Sequence, residues 1–430
     1  MDLFHKLKGL QIVKILKMSG MYPFFRALQG SKGNNVVFND QELVMMGSNN
    51  YLGLTHDNRV IEAAVNAVRK WGSGCTGSRF LNGNLKLHEE LEAEIAEFYG
   101  YEASLVYATG FMANQGAITA LVGEKDHIFS DEENHACIIE GCKLTKGKIH
   151  VFKHGDMAHL EELLKSVPLD SGKLIIVDGV FSMTGHLSPY NEIHALAKKY
   201  NARTYVDDAH GAGTIGEGGR GTASHFNLKP DILMGTFSKS FASQGGYVCG
   251  SAELIEWLRH KSRTFMFSAA LAPASAASAL EAIKILRAEP ELVNKVRENA
   301  LYLKNAYEKI GLNTMGTETC VVPVFIGADE GALYICQQLL EKGIFTTPVV
   351  YPAVPKGQAV IRCSVMATHT KEDLDKAIAA FESLVDIVKE SQAMASSDTA
   401  MADMLENSDD ISFESISGGN TNVPSPEVVV

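Results

Sequence analysis

The chain has 430 residues, 46% of them hydrophobic and 21% charged, enough to bury a sizeable core and to form more than one domain. Its formal charge of −12 argues against nucleic acid as the main partner, and seven scattered cysteines, an odd number without a CxxC pair, indicate neither a disulfide framework nor a zinc site. No apolar run of about 18 residues, the length that could cross a bilayer, appears, and Met1-Asp2-Leu3-Phe4-His5-Lys6 lacks the pattern of a signal peptide, so a cytoplasmic, soluble protein with reduced, buried cysteines is expected.

The first segment, 1–57, carries an apolar stretch, Met18-Ser19-Gly20-Met21-Tyr22-Pro23-Phe24-Phe25, suited to covering an acyl chain, approaching a membrane surface or packing in a dimer. It ends in Gly47-Ser48-Asn49-Asn50-Tyr51-Leu52-Gly53. Gly72-Ser73-Gly74-Cys75-Thr76-Gly77 is rich in glycine but has no Walker lysine and no following dinucleotide pattern, which argues against a nucleotide site. After it, Leu87, Leu91, Ile95 and Phe98 stand at helical spacing and predict an amphipathic helix over Lys86 to Tyr99.

Between 58 and 300 apolar runs of strand length alternate with helical patterns: Leu174 to Asp178, Thr204 to Asp208, Asp231 to Gly235 and Gly246 to Cys249. That alternation predicts an α/β domain with a mostly parallel sheet covered on both faces. A long helical region runs from Ala272 to Ile310 with a break near Glu289-Pro290. A smaller α+β domain, 301–390, follows, with a strand at Cys320 to Ile326 and helices at Asp329 to Lys342 and Lys371 to Val388. From Ser391 to Val430 there are seven acids and no Lys or Arg, which predicts a disordered acidic tail or a docking segment for a partner or carrier.

Four short segments carry the chemistry. In Met234-Gly235-Thr236-Phe237-Ser238-Lys239-Ser240 a single lysine follows a buried strand among hydroxyl groups, a place where an amine can form an imine with a carbonyl cofactor, although a surface lysine after a strand is commonplace. In Val206-Asp207-Asp208-Ala209-His210-Gly211 a carboxylate at a strand end could hold a pyridinium proton and an imidazole could meet a ring hydroxyl; a capping acid with a turn is the plain alternative. Ala108-Thr109-Gly110-Phe111 is a strand-to-helix turn whose free amides favour a phosphate, as those of any such turn do. His135, after an acidic turn, could stack on a planar ring or serve only structure, and Arg362, within an apolar strand, needs a carboxylate partner, whether substrate or structural acid.

In order and spacing these segments resemble the α-oxoamine synthase family of fold-type I, pyridoxal-phosphate-dependent acyltransferases, over about Met18 to Leu384. The resemblance implies an aspartate aminotransferase-like fold and a homodimer with the site at the interface. It implies Lys239 as the Schiff-base lysine and α-proton base, Asp207 at the pyridine nitrogen, His210 near the ring hydroxyl, His135 over the ring and Ser182 against it. The cofactor phosphate would be held by Gly110, Phe111, Thr236 and Ser238, and by Ser268 of the second subunit. Arg362, helped by Asn50 and Asn49, would bind the amino-acid carboxylate. The residues flanking Lys239, Ser238 and Ser240, together with Gly77-Ser78-Arg79-Phe80-Leu81-Asn82-Gly83 and Val365-Met366-Ala367-Thr368-His369-Thr370, look most like bacterial members that join L-serine to a long-chain acyl-CoA. Members using glycine or alanine, or a carrier-protein thioester, are the alternatives, and a non-catalytic scaffold is disfavoured because Lys239, Asp207, His210 and His135 are all present.

Overall fold

The computed structural model describes residues 2–408. Seven strands form the central sheet: β1 (Ala103–Tyr107), β2 (His127–Asp131), β3 (Lys148–Phe152), β4 (Lys173–Asp178), β5 (Arg203–Asp207), β6 (Ile232–Thr236) and β7 (Gly246–Gly250). Their order across the sheet is β1-β7-β6-β5-β4-β2-β3. Every neighbouring pair is parallel except those that β7 makes with β6 and β1, so six strands share one direction and β7 runs against them. Every position of β2, β4, β6 and β7 is buried, which is why they read as unbroken apolar runs rather than alternating ones.

Alternate residues of one strand feed opposite layers. Leu174 and Ile176 of β4 pack with helices Gly110–Leu121 and Ala136–Lys143, while Ile175 and Val177 pack with helices Met157–Lys165 and Tyr190–Lys199. The predicted helix Lys86–Tyr99 forms as read and joins Asn58–Trp71 and Pro273–Ala288 over the β7 side. The long helical region splits where expected: Pro273–Ala288 ends at Glu289, and Pro290 caps Glu291–Lys309. The four strand ends Asp131, Asp178, Asp207 and Thr236 therefore share the carboxyl rim of the sheet, where ligands of open α/β sheets collect.

The second domain holds an antiparallel sheet in which Ala359–Ser364 runs between Val321–Gly327 and Thr347–Val349. Three expectations about boundaries change. Helix Glu291–Lys309 crosses 300/301: Val293 joins the large core, whereas Val296, Ala300, Leu303 and Tyr307 join the small one. The N-terminal segment is no separate unit, because its strand Gln41–Met45 pairs in parallel with Ile344–Phe345 of the small domain. The expected tail begins later than Ser391, because helix Val385–Ser408 runs through it after a break at Ser383-Leu384. Ser391 and Ala395 are buried there against Gly331 and Gly327, which have no side chain to obstruct them. The remainder of the expected tail, 409–430, lies outside the described residues. No helix among the described residues is long and apolar enough to cross a membrane. Within the apolar N-terminal stretch, Met18 and Phe25 are exposed and Pro23 is buried. All seven cysteines are free thiols, six of them buried and Cys75 half-buried.

Candidate active site

A cavity of about 340 Å³ opens at the carboxyl rim, lined among others by Gly110, Phe111, His135, Ser182, Thr236 and Lys239. Asp207, His210 and Ser238 also line it, whereas Asn49, Asn50, Ser268 and Arg362 of the residues singled out in the sequence do not. Segments distant along the chain meet there because β5 and β6 are neighbours and helix Gly110–Leu121 packs over β6 and β7.

The rim after β1 is built to hold an anion. Thr109 caps helix Gly110–Leu121, its hydroxyl accepting from Met112 N at 3.1 Å, so helix geometry leaves the Gly110 and Phe111 amides for a ligand. Opposite stand the hydroxyls of Thr236 and Ser238, 2.9 Å apart, with Thr236 Oγ1 also donating to Gly245 O at 2.8 Å. A Cβ on Gly246 would sit 2.6 Å from Gly110 Cα, so glycine at 246 is what lets the helix start come this close to the sheet.

Lys239 follows β6 in a loop tied down by Ser240, whose hydroxyl donates to Ala212 O at 2.6 Å. Burial holds the Lys239 ammonium below its usual range, against the opposing pull of Asp207 and Asp178, which favours the neutral, nucleophilic amine. Asp207 ends β5, its Oδ2 accepting from Asn114 Nδ2 at 2.6 Å and its Oδ1 from Ala209 N at 3.0 Å. Asn114 is in turn fixed by Tyr205, whose hydroxyl donates to Asn114 Oδ1 at 2.8 Å. Asp178 pairs with Asp207 across β4 and β5. Burial, then the neighbouring Asp207, push Asp178 well above the usual carboxylate range.

His135 caps helix Ala136–Lys143: its Nδ1 accepts from Cys137 N at 3.2 Å, and its own amide donates to Asp178 Oδ2 at 2.8 Å. Burial pulls its imidazolium down, so the ring is neutral at neutral pH. His210 is also neutral, held well below its usual range by burial first and then by the charge of Lys239.

Arg362 does not itself line the cavity; its Nε donates to O of Ser182, which does, at 2.5 Å, while Nη1 donates to Asn49 Oδ1 at 2.9 Å and Nη2 to Tyr51 OH at 3.0 Å. The partner of Arg362 is thus Asn49, with Tyr51, and not Asn50, whose Nδ2 donates to Thr55 Oγ1 at 2.8 Å in its own turn. No structural acid neutralises Arg362 among the described residues; the ion pairs of the chain lie elsewhere. Ser268 is half-buried and lies outside the cavity of its own chain. Sequence reasoning missed Asn114, Asp178, Cys137 and Gln244. Asn114 had a signal, since it falls on the inward face of the helix opened by Gly110, and Asp178 ends a strand as Asp207 does.

These residues fit pyridoxal phosphate: free amides and hydroxyls for the phosphate, a carboxylate held at a strand end for the ring nitrogen, and a buried lysine amine for the aldehyde carbon. The sequence profile of the Aminotransferase class I and II family matches residues 41–381. The chain is 46% identical over 381 residues to a serine palmitoyltransferase of Bacteriovorax stolpii, covering 88% of this chain and 91% of that one. It is 47% identical over 370 residues to an 8-amino-7-oxononanoate synthase of Thermoanaerobacter pseudethanolicus, covering 85% and 94%. Among solved structures, SPT with its PLP internal aldimine superposes with a TM-score of 0.88 at 33% identity, covering 90% of this chain and all of that one. The Sphingomonas wittichii serine palmitoyltransferase gives 0.86 at 32%, covering 90% and 99%. The chain belongs to the class I and II aminotransferase family and, within it, is a pyridoxal-phosphate-dependent α-oxoamine synthase of fold type I.

Proposed function

We propose that the chain condenses L-serine with palmitoyl-CoA, giving 3-ketodihydrosphingosine, carbon dioxide and CoA, the first carbon–carbon bond of a sphingolipid base. The observation that carries this choice is the joint likeness, in sequence and in fold, to serine palmitoyltransferases along nearly their whole length. The similar identity to an oxononanoate synthase supports a second reading, the same chemistry with L-alanine and a different acyl thioester.

Bound pyridoxal phosphate supplies the electron sink for a carbanion at the amino-acid α-carbon. The chain supplies the rest. Arg362 has five N–H donors, of which three are engaged, and one on each of Nη1 and Nη2 remains for the substrate carboxylate. Lys239 Nζ, its hold on a proton weakened by burial, takes the α-proton and later returns one to the same carbon. Asp207 keeps a proton on the ring nitrogen, and Asn114 and Ala209 hold that carboxylate in place. His135, which lines the cavity and is tied to Asp178 through its amide, would cover one face of the bound ring.

In this reading the active unit is a homodimer whose Ser268 reaches the partner's phosphate. The exposed Phe111, at the cavity, and Phe267, beside Ser268, supply apolar surface for that contact. Mass spectrometry of the product formed from L-serine and palmitoyl-CoA tests the proposal. 3-Ketodihydrosphingosine from the wild type and none from Lys239→Ala is expected, and full activity of Lys239→Ala would sink the mechanism.

A further inference from the structure

Tyr51 stands where the two halves of the site meet. Its ring is completely buried, and its hydroxyl lies 2.6 Å from His210 Nδ1, 3.0 Å from Arg362 Nη2 and 3.2 Å from Asn49 Oδ1. A phenol has one proton to give. Arg362 can only donate, so the Tyr51 oxygen accepts from it. Asn49 Oδ1, which accepts from Arg362 Nη1 at 2.9 Å, has a second lone pair for the Tyr51 hydroxyl, but at 3.2 Å it is the weaker acceptor beside His210 Nδ1 at 2.6 Å. His210 Nδ1 is therefore the acceptor for the Tyr51 proton. The imidazole is neutral, since burial and then the charges of Lys239 and Arg362 oppose a second proton, and burial likewise keeps the phenol protonated. A neutral imidazole that accepts at Nδ1 carries its proton at Nε2. Nε2 makes no hydrogen bond among the described residues, and the ring lines the cavity.

We propose that Tyr51 is a positioning residue that fixes His210 in the Nε2–H tautomer and so presents a donor to the cofactor, while the same hydroxyl joins His210 to the carboxylate clamp at Arg362. This rests on the reading of His210 as the group that meets the ring hydroxyl. The chain of donors runs one way, Arg362 to Tyr51 to His210, so each hydrogen bond polarises the next. A carboxylate drawing on Arg362 alters what Tyr51 receives, and thereby what His210 offers the cofactor.

The test is Tyr51→Phe in the holoenzyme, which keeps the buried ring and removes only the hydroxyl. Without its donor, Nδ1 is left unsatisfied and the His210 proton distributes over both nitrogens. A donor at the ring oxygen competes for the electron density that holds the proton on Lys239 Nζ, so weakening that donor lets the nitrogen keep its proton to higher pH. The pH midpoint of the visible band of bound cofactor, read without substrate, is expected to rise by about half to one pH unit, the scale of one hydrogen bond. Cofactor content is expected to stay full, and L-serine affinity, read from the same band, to weaken severalfold. In a His210→Asn background, Tyr51→Phe is expected to move the midpoint no further, a result that a purely packing role would not give. An unmoved midpoint in Tyr51→Phe beside a shifted one in His210→Asn would overturn the proposal alone. A His210→Asn variant with an unmoved midpoint would overturn it together with the placement of His210.

Discussion

Replacing Arg362 should separate amino-acid binding from cofactor binding, and the structure sets the size of the effect. The guanidinium sits in the middle strand of the small-domain sheet, reaches the cavity only through Ser182, Asn49 and Tyr51, and touches none of the phosphate-binding groups. Two N–H groups are left for a carboxylate. Each charge-assisted bond is worth about 1.5–3 kcal/mol net, so a pair offers roughly 3–6 kcal/mol. Water entering the vacated space recovers part of this, which leaves about 3 kcal/mol, or roughly two orders of magnitude in dissociation constant. Arg362→Ala should therefore raise the dissociation constant for L-serine about a hundredfold. Arg362→Lys, with a point charge and no planar fork, should raise it about tenfold. Absorbance titration of the reconstituted holoenzyme reads both effects, and dialysis reads cofactor retention, which should not change. Unchanged amino-acid affinity in Arg362→Ala would remove Arg362 from the site, and equal loss of cofactor and amino acid would show that the residue only holds the two domains together.

Asp207→Asn leaves one of its two donors, Asn114 Nδ2–H or Ala209 N–H, facing an amide nitrogen in place of oxygen. It should lose about 1–3 kcal/mol of stability and on the order of a hundredfold in turnover, read by thermal unfolding and initial rates. Gly246→Ala places a methyl 2.6 Å from the Gly110 backbone. It should cost about 1–3 kcal/mol of stability and, because it displaces the phosphate cradle, weaken cofactor retention on dialysis, whereas wild-type retention would contradict the assignment. His369 is buried, its Nδ1 accepting from Met366 N at 3.0 Å and its Nε2 meeting Met45 O at 3.1 Å, an arrangement that requires the neutral ring. Burial lowers its folded pKa below the unfolded value of about 6.5. The unfolded chain thus takes up the proton first as pH falls, so the stability advantage of wild type over His369→Gln should be full above about pH 6.5 and shrink below it. Denaturant unfolding at several pH values checks this, and a constant difference would refute it.

The residues that bear charge or a reactive amine were legible because the chemistry demands particular types at strand ends. Asp207, His210 and Lys239 each follow an apolar run, and the folded sheet places them on one rim. Their supports were not legible in the same way. Asn114 reaches Asp207 across 93 positions and Tyr51 reaches His210 across 159, contacts set by the order of strands and the seating of the first segment. Asn49 and Asn50 are chemically identical in the sequence, and only the turn that ties Asn50 to Thr55 leaves Asn49 for Arg362. The alternating α/β pattern revealed the large domain, but the domain border was hidden because helix Glu291–Lys309 serves two cores along its length. The helix through Ser391 and Ala395 was hidden for a different reason. Its first turn packs through Val385 and Val388, but beyond them the contact with the small domain is made by Ser391 and Ala395 against glycines, which leaves no apolar stripe to read there.

The central claim, a lysine-bound cofactor serving L-serine and a long-chain acyl-CoA, is tested most directly by titrating the reconstituted protein with L-serine, glycine and L-alanine in turn while following the visible band, then adding palmitoyl-CoA and recording the release of CoA thiol. A saturable spectral change selective for L-serine, followed by CoA release that depends on both substrates, is the predicted result. Selectivity for alanine or glycine, or no CoA release with L-serine bound, would contradict it.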